Sequence, residues 1–503
     1  MVDYGKMKAR AAIIHIILAA VAMGSPGRPA LRLPAPFADG MVLQRDKPCP
    51  VWGFAAPGEE VSVAIAGQTK TARAGADGRW SLKLDPLSAG GPQEMTVTGS
   101  ATLTIKDILV GEVWIAAGGS NMEMPLKAAK IAQTAADDDA LARLRFFNVA
   151  KGTAEEPQAE TLGSWISGRS EGVGEVSAAA YYFARDVQRA LKVPVGIVQA
   201  SADDSRADQW VSRRGLGSSR GGRSSLTLYG MQMGNYRDTV AKYQGSLLRI
   251  EEARKKGEPL PKALPEPPKP FPICDLYNAR IAPLIPFAIR GAIWYQGEAE
   301  LFQPWAYETL FPGLIRSWRE EWGQGDFPFG YVQLAGQGPR ADSGVSLLAQ
   351  FRDVQLKALA LPRVGMASAI DLGDEDGVRP RNKEEVGRRL ALWALADAYG
   401  QNVVHSGPLY DSMKIQGDTI RVQFKHVGGG LRPPEGKLRG FRMSGDFRIF
   451  VDADAVIDGD TVVVSSREVK WPAAVRYGWS DNPAGNLYNQ EGLPASPFRS
   501  DNW

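Results

Sequence analysis

A chain of 503 residues with 44% hydrophobic and 23% charged content is long enough to bury several cores and suggests two to four domains, which excludes a disordered segment or a single small module. Lysine plus arginine against aspartate plus glutamate is 59 to 56, a net charge of +3, and the charges are interspersed, which removes support for nucleic-acid binding. The two cysteines, Cys49 and Cys274, lie far apart, so no disulfide framework organises the chain and both read as buried thiols.

Residues 1–30 read as a secretory signal. Lys6, Lys8 and Arg10 precede an apolar run over 11–23, too short to span a bilayer comfortably, and the turn-forming stretch GSPGRPA follows; an N-terminal membrane anchor is the weaker alternative. The mature chain is therefore expected to be exported, to the periplasm or outside the cell, with no membrane contact after cleavage. From 31 to 106, short alternating runs such as 61–65 and 95–98 are separated by Gly, Pro and Asp clusters, the pattern of a small antiparallel β-sandwich.

Between 107 and 402 the texture changes. Continuous apolar, β-prone runs at 108–115, 193–200, 287–295, 329–334 and 364–370 alternate with helical patterns at 177–192, 310–322 and 347–361. Such an alternation predicts an α/β fold whose parallel sheet is covered on both faces. The last helix of this region is delimited by Asn382 as cap, with Glu385 three residues on, and by Gly400, and it carries Val386, Leu390, Trp393 and Ala394 on one face. Residues 255–272 hold seven prolines and read as a stiff surface spacer after a polar helix. From 403 to 503 short strands bounded by Gly-Asp turns return, predicting a second β-sandwich.

In an open parallel sheet ligands bind beyond the carboxyl ends of the strands. Four unusually polar loops follow the predicted strands there: GGSNMEM (118–124), SADDSRADQW (201–210), YQGEAE (295–300) and DLGDEDGVRP (371–380). In the first, Ser120 at a strand-to-helix corner is either a nucleophile or, with Asn121, a helix cap. Gln296 offers an amide suited to an oxyanion and Glu298 follows it; both also suit a loop held by hydrogen bonds. In the fourth, Asp371, Asp374, Glu375 and Asp376 form either a cation or acid–base cluster or a solvated acidic loop. Outside the signal, which contains His15, the histidines are His405 and His426, which argues against a His-rich metal site.

The segments MVLQRDKPCPVWG (41–53), VGEVWIAAGGSNMEMPL (110–126), LYNARIAPLIPFAIRGAIWYQGEAE (276–300), WGQGDFPFGYVQLA (322–335), NKEEVGRRLALWALADAYG (382–400), SGPLYDSMKI (406–415) and VRYGWSDNPAGNLYNQEGLPASPF (475–498) together resemble the sialate O-acetylesterases, carbohydrate esterases of the SGNH type. The resemblance spans nearly the whole chain after the signal. It implies a flavodoxin-like SGNH hydrolase domain flanked by N- and C-terminal β-sandwich domains. It further implies removal of acetyl groups from hydroxyls of sialic acid or a related sugar, with no cofactor and no metal. The partner implied is a small-molecule carbohydrate, and the oligomeric state stays open.

The family pattern Gly-Gln-Ser-Asn-Met places the nucleophile on Ser120, with oxyanion donors at the Ser120 amide, at a Gly-Gly-Thr turn and at the side chain matching Gln296. Asn121, Glu298, Asp203 and Asp204 are carried with it as oxyanion or binding positions. Departures from the pattern are specific. Gly119 replaces the Gln; Asp203, Asp204 and Ser205 replace Gly-Gly-Thr, putting carboxylates where donors are needed; and DGVRPRNK (376–383) replaces Asp-Ile-His-Pro-x-Asn-Lys. Gly377 then occupies the aspartate position and Arg379 the histidine position. A guanidinium stays protonated and presents donors only, so it cannot act as a base. Loss of the triad histidine typically costs on the order of 10⁶ in turnover. Asp376 is the candidate substitute base, weaker than imidazole by about 2.5 pKa units. The expectation is an esterase with a reduced or altered mechanism, or a catalytically silent relative that binds acetylated or acidic sugars.

Overall fold

The computed structural model describes residues 31–130, 138–339, 346–374 and 377–503. The expected signal, and Glu375 and Asp376, lie outside the described residues. The fold is mixed α/β. Seven strands form a central sheet in the order Val364–Ser368, Phe329–Gln333, Gly291–Tyr295, Thr102–Gly118, Val195–Ser201, Leu144–Val149 and Gly163–Ser167. Neighbours run parallel except for the final antiparallel pair. The apolar runs GAIWY and FGYVQ are buried at every residue, as strands covered on both faces must be. The helices Ala178–Leu191 and Lys383–Asp397 pack on each other, and Pro304–Trp322 packs with Leu347–Leu356 and the start of Arg220–Lys256.

The strand Thr102–Gly118 organises the molecule. Its first half pairs antiparallel with Gly90–Thr98, its middle pairs parallel with Val42–Gln44, and its second half is the centre of the large sheet. The expected boundary at 106/107 therefore falls inside a single strand. The cores follow suit: Val63, Trp80 and Met95 of the N-terminal strands belong to the same buried cluster as Trp114 and Trp294. The C-terminal strands form antiparallel sheets around a separate core of Ile420, Val422, Phe441, Val462 and Phe498.

A buried arginine joins this C-terminal part to the centre. Arg352 donates to the carbonyls of Leu334 (2.8 Å) and Ala335 (2.6 Å) on one side and of Ser480 and Asp481 (both 2.8 Å) on the other. Burial lowers its pKa to about 9, and the four carbonyls take the place of the water it lost.

The helix before the proline-rich stretch runs 37 residues, Arg220–Lys256, and ends on Gly257 in the left-handed region. It takes in Lys255 and Lys256; residues 257–272 return without regular structure. Asn382 caps the last helix as the sequence predicts, its side chain accepting from the Glu385 amide at 3.2 Å.

Candidate active site

Strand register brings the loops together. Ser201 and Tyr295 both lie opposite Gly118, so three neighbouring strands end at one level and their loops open side by side. The order reverses around Thr102–Gly118, whose later neighbours lie on opposite sides, the place where an open sheet leaves a crevice. Gly118 makes the first turn possible: its φ is +141°, and a Cβ there would stand 2.3 Å from the Tyr295 carbonyl oxygen. Ser120 follows as the first residue of the short helix Ser120–Glu123 and is buried. Its side chain caps nothing; Gly119 is the N-cap and forms no side-chain bond.

The Ser120 hydroxyl donates to Asp203 Oδ1, and the Asp204 amide lies 3.1 Å from Ser120 Oγ. Asp204 holds that amide in place with a left-handed φ of +49°. Arg379 Nη2 is 3.5 Å from the same Asp203 oxygen. Two of the replaced positions, Asp203 and Arg379, thus meet each other at the serine. Gly377 leaves open space, since a Cβ there would meet nothing nearer than the Arg379 amide at 3.9 Å. Beside Asp203 and Arg379 lies a cleft of about 510 Å³, lined also by Glu123, Asn148, Lys151 and Gln199.

The other expected donors are committed elsewhere. Gln296 donates to the Ser205 carbonyl (2.9 Å) and to Glu300, while its own carbonyl oxygen is buried with no partner. Asn121 donates to Glu298 and to the Val378 carbonyl (3.0 Å) and accepts from Lys383. Burial raises the Glu298 pKa and lowers that of Lys383 to about 7; Lys383 Nζ also sits 4.7 Å above the Tyr295 ring. Burial pushes Glu300 up to about 8, although Ala207 N and Gln296 both donate to its carboxyl. Sequence reasoning missed Lys383 and Glu300. A lysine in the first turn of a helix and a second glutamate in a polar loop both carried a signal, since each is a charge adjoining a buried strand or helix end.

Asp371 and Asp374 are the acidic-loop carboxylates among the described residues, and both are engaged locally. Asp371 is held bidentate by Arg389 at 2.6 and 2.8 Å, and Asp374 accepts from the Arg381 amide at 3.0 Å. No group of three or more potential metal ligands forms among the described residues. His405 and His426 stand together, ring centroids 5.7 Å apart, in a different cavity lined by Trp393, Tyr410 and Phe498. Among the described residues, no histidine lines the cleft at Asp203.

The sequence matches the model of the carbohydrate esterase, sialic acid-specific acetylesterase family over residues 275–396, a span that holds Gln296, Glu298 and Arg379. The sialate O-acetylesterase of Rattus norvegicus is 30% identical over 418 residues, 75% of each chain. That of Homo sapiens is 27% identical over 415 residues, 75% of this chain and 72% of its own. Among solved structures, a carbohydrate acetylesterase from Xanthomonas citri superposes with a TM-score of 0.79 at 36% identity, covering 94% of this chain and 100% of that one.

Proposed function

Because the chain belongs to the sialate O-acetylesterase family of carbohydrate esterases, we propose that it hydrolyses O-acetyl esters on sugar hydroxyls through Ser120, with Asp203 as the proton acceptor. The observation that carries this reading is the hydrogen bond from the Ser120 hydroxyl to Asp203 Oδ1. In a serine triad an imidazole stands between the serine and the carboxylate. Here the carboxylate meets the serine directly, and Arg379, 3.5 Å away, supplies the countercharge.

Ser120 Oγ attacks the acetyl carbon as its proton passes to Asp203. The tetrahedral oxyanion faces the Asp204 amide, 3.1 Å from Oγ, and the Ser120 amide, one of the unpaired donors of a helix start. Collapse expels the sugar oxygen, which takes the proton from Asp203. Water then attacks the acetyl-serine, giving one proton to Asp203; that proton returns to Ser120 as its bond to the acetyl carbon breaks, and acetic acid leaves and ionises in solvent. A carboxylate is a weaker base than imidazole by about 2.5 units, about 3.4 kcal/mol, so turnover is slow.

The finer assignments belong to the same proposal. The substrate is an O-acetylated sialic acid or related sugar. The central sheet is of the flavodoxin-like SGNH type, with β-sandwiches before and after it, and the protein is exported. A second reading, a silent sugar-binding relative, is favoured by one observation: the Gln296 amide is spent on Ser205 and Glu300 and not on an oxyanion.

The test uses p-nitrophenyl acetate and an O-acetylated sialic acid with wild type, Ser120→Ala and Asp203→Asn. Slow turnover that falls at least 10²-fold in both variants is expected. Equal, near-background rates for all three sink the esterase reading, and a sugar-dependent thermal shift in that case establishes the binder.

A further inference from the structure

A second cleft, of about 140 Å³, lies beyond the 203–208 loop and is lined by Arg206, Tyr229, Gln232, Phe271, Gln303 and Trp305. Three distant segments build it: the long helix supplies Tyr229 and Gln232, the end of the proline-rich return supplies Phe271, and the start of the helix Pro304–Trp322 supplies Trp305. Trp305 is 68% and Phe271 75% exposed, large apolar rings that folding leaves in water. Phe271 is held by its surroundings: the Arg206 guanidinium lies 5.5 Å from its ring centroid and also donates to the Pro272 carbonyl at 3.3 Å.

The charge of the cleft is internally balanced. Arg206 forks onto Asp208 at 3.1 and 3.3 Å, and the Glu300 carboxyl is occupied by Ala207 N and Gln296. Gln232 and Gln303 make no side-chain hydrogen bond among the described residues, so their amides are free to donate and accept. Flat aromatic faces beside unengaged amides, with no uncompensated charge, suit a polyhydroxylated neutral ring and not an anion. The two clefts share no lining residue, but one short loop links them: Asp203 lines the first and Arg206, three residues on, lines the second.

We infer that this cleft is a subsite for uncharged sugar units of a glycan chain whose acetylated residue sits at Ser120, with Trp305 and Phe271 as stacking platforms. The inference rests on the carbohydrate esterase reading, and its test separates the two. Binding of xylohexaose, cellohexaose and an α2,8-linked sialic acid tetramer to the full chain is measured by calorimetry, which needs no turnover. At least one neutral hexasaccharide binds, Trp305→Ala and Phe271→Ala each weaken it about five- to tenfold, Trp305→Phe restores most of the affinity, and p-nitrophenyl acetate hydrolysis is unchanged in all three. Because both side chains are exposed, the thermal midpoint of each variant stays at the wild-type value. The inference is overturned if neither hexasaccharide binds, if Trp305→Ala binds as well as wild type, or if only the sialic acid tetramer depends on Trp305. Binding without ester hydrolysis leaves the subsite standing and removes the esterase.

Discussion

At the scale of single residues, the site is defined by paired replacements. Asp203 stands in the loop where donors are expected, and Arg379 stands where a histidine is expected; each alone is adverse, yet they form an ion pair beside the serine. The open space at Gly377 allows the family's pattern to be rebuilt. Gly377→Asp with Arg379→His is expected to raise kcat on p-nitrophenyl acetate on the order of 10²-fold, the usual contribution of a positioned general base, and to introduce a limb near pH 6.5 in the rate profile. An unchanged rate would locate the larger defect in the loop of Asp203 and Asp204. Glu300 gives a pH prediction of a different kind. Its folded pKa, about 8, exceeds the unfolded value of 4.5, so the native state holds a proton that the unfolded chain releases. Stability from this group is complete below pH 4.5 and declines as pH rises to about 8, by about 5 kcal/mol in all. Glu300→Gln cannot ionise, and denaturant titrations of that variant across pH 4.5–8 should show the slope reduced.

At the scale of elements, the sheet carries the site and the sequence carried much of the sheet. Apolar runs at 108–115, 193–200, 329–334 and 364–370 coincide with observed strands because strands buried on both faces need no alternation and read as continuous hydrophobic runs. The strands Leu144–Val149 and Gly163–Ser167 escaped notice: the first is interrupted by Arg145 and Asn148, and the second, GSWIS, lies at the sheet edge where burial is only partial. Ser120, Asp203 and Arg379 were legible as positions, through their loops and the family pattern. Their mutual contact was not, since it depends on strand register and on the left-handed turn at Asp204. The turn at Gly118 is the most sensitive point of this geometry. Gly118→Ala is expected to be destabilised by more than about 3 kcal/mol, because both its positive φ and the approach of Tyr295 oxygen forbid a Cβ. Thermal denaturation checks this, and a midpoint within a degree or two of wild type would contradict it. Lys383, at the start of the following helix, adds a second pH window. Its pKa falls from 10.5 to about 7 on burial, so the unfolded chain binds the extra proton and stability rises as pH climbs from about 7 to 10.5. Lys383→Met removes that rise, although it also costs about 1–3 kcal/mol by leaving the Asn121 side-chain oxygen without its donor.

At the scale of the whole molecule, two cores are joined through a few buried polar groups. Arg352 bonds four carbonyls across that junction, with Gln333 donating to Ser496 at 2.8 Å nearby. Replacing Arg352 by Leu leaves the carbonyls of Leu334, Ala335 and Ser480 without this donor, while that of Asp481 keeps the Gln337 amide at 3.1 Å, at an expected cost of about 3–5 kcal/mol. Limited proteolysis should then release a C-terminal fragment that the wild type retains. The central strand has a consequence of another sort, one that concerns how the chain is made. Thr102–Gly118 finds its N-terminal partners already synthesised, at 42–44 and 90–98, but its other half must wait for strands at 195–201 and 291–295. At roughly 5–20 residues per second, the ribosome leaves the apolar half-strand VWIAAG with an open edge on the order of ten to thirty seconds before Gly291–Tyr295 emerges. The nascent chain therefore carries an unpaired apolar strand edge through that interval, and this half-strand is where aggregation would begin if synthesis stalled.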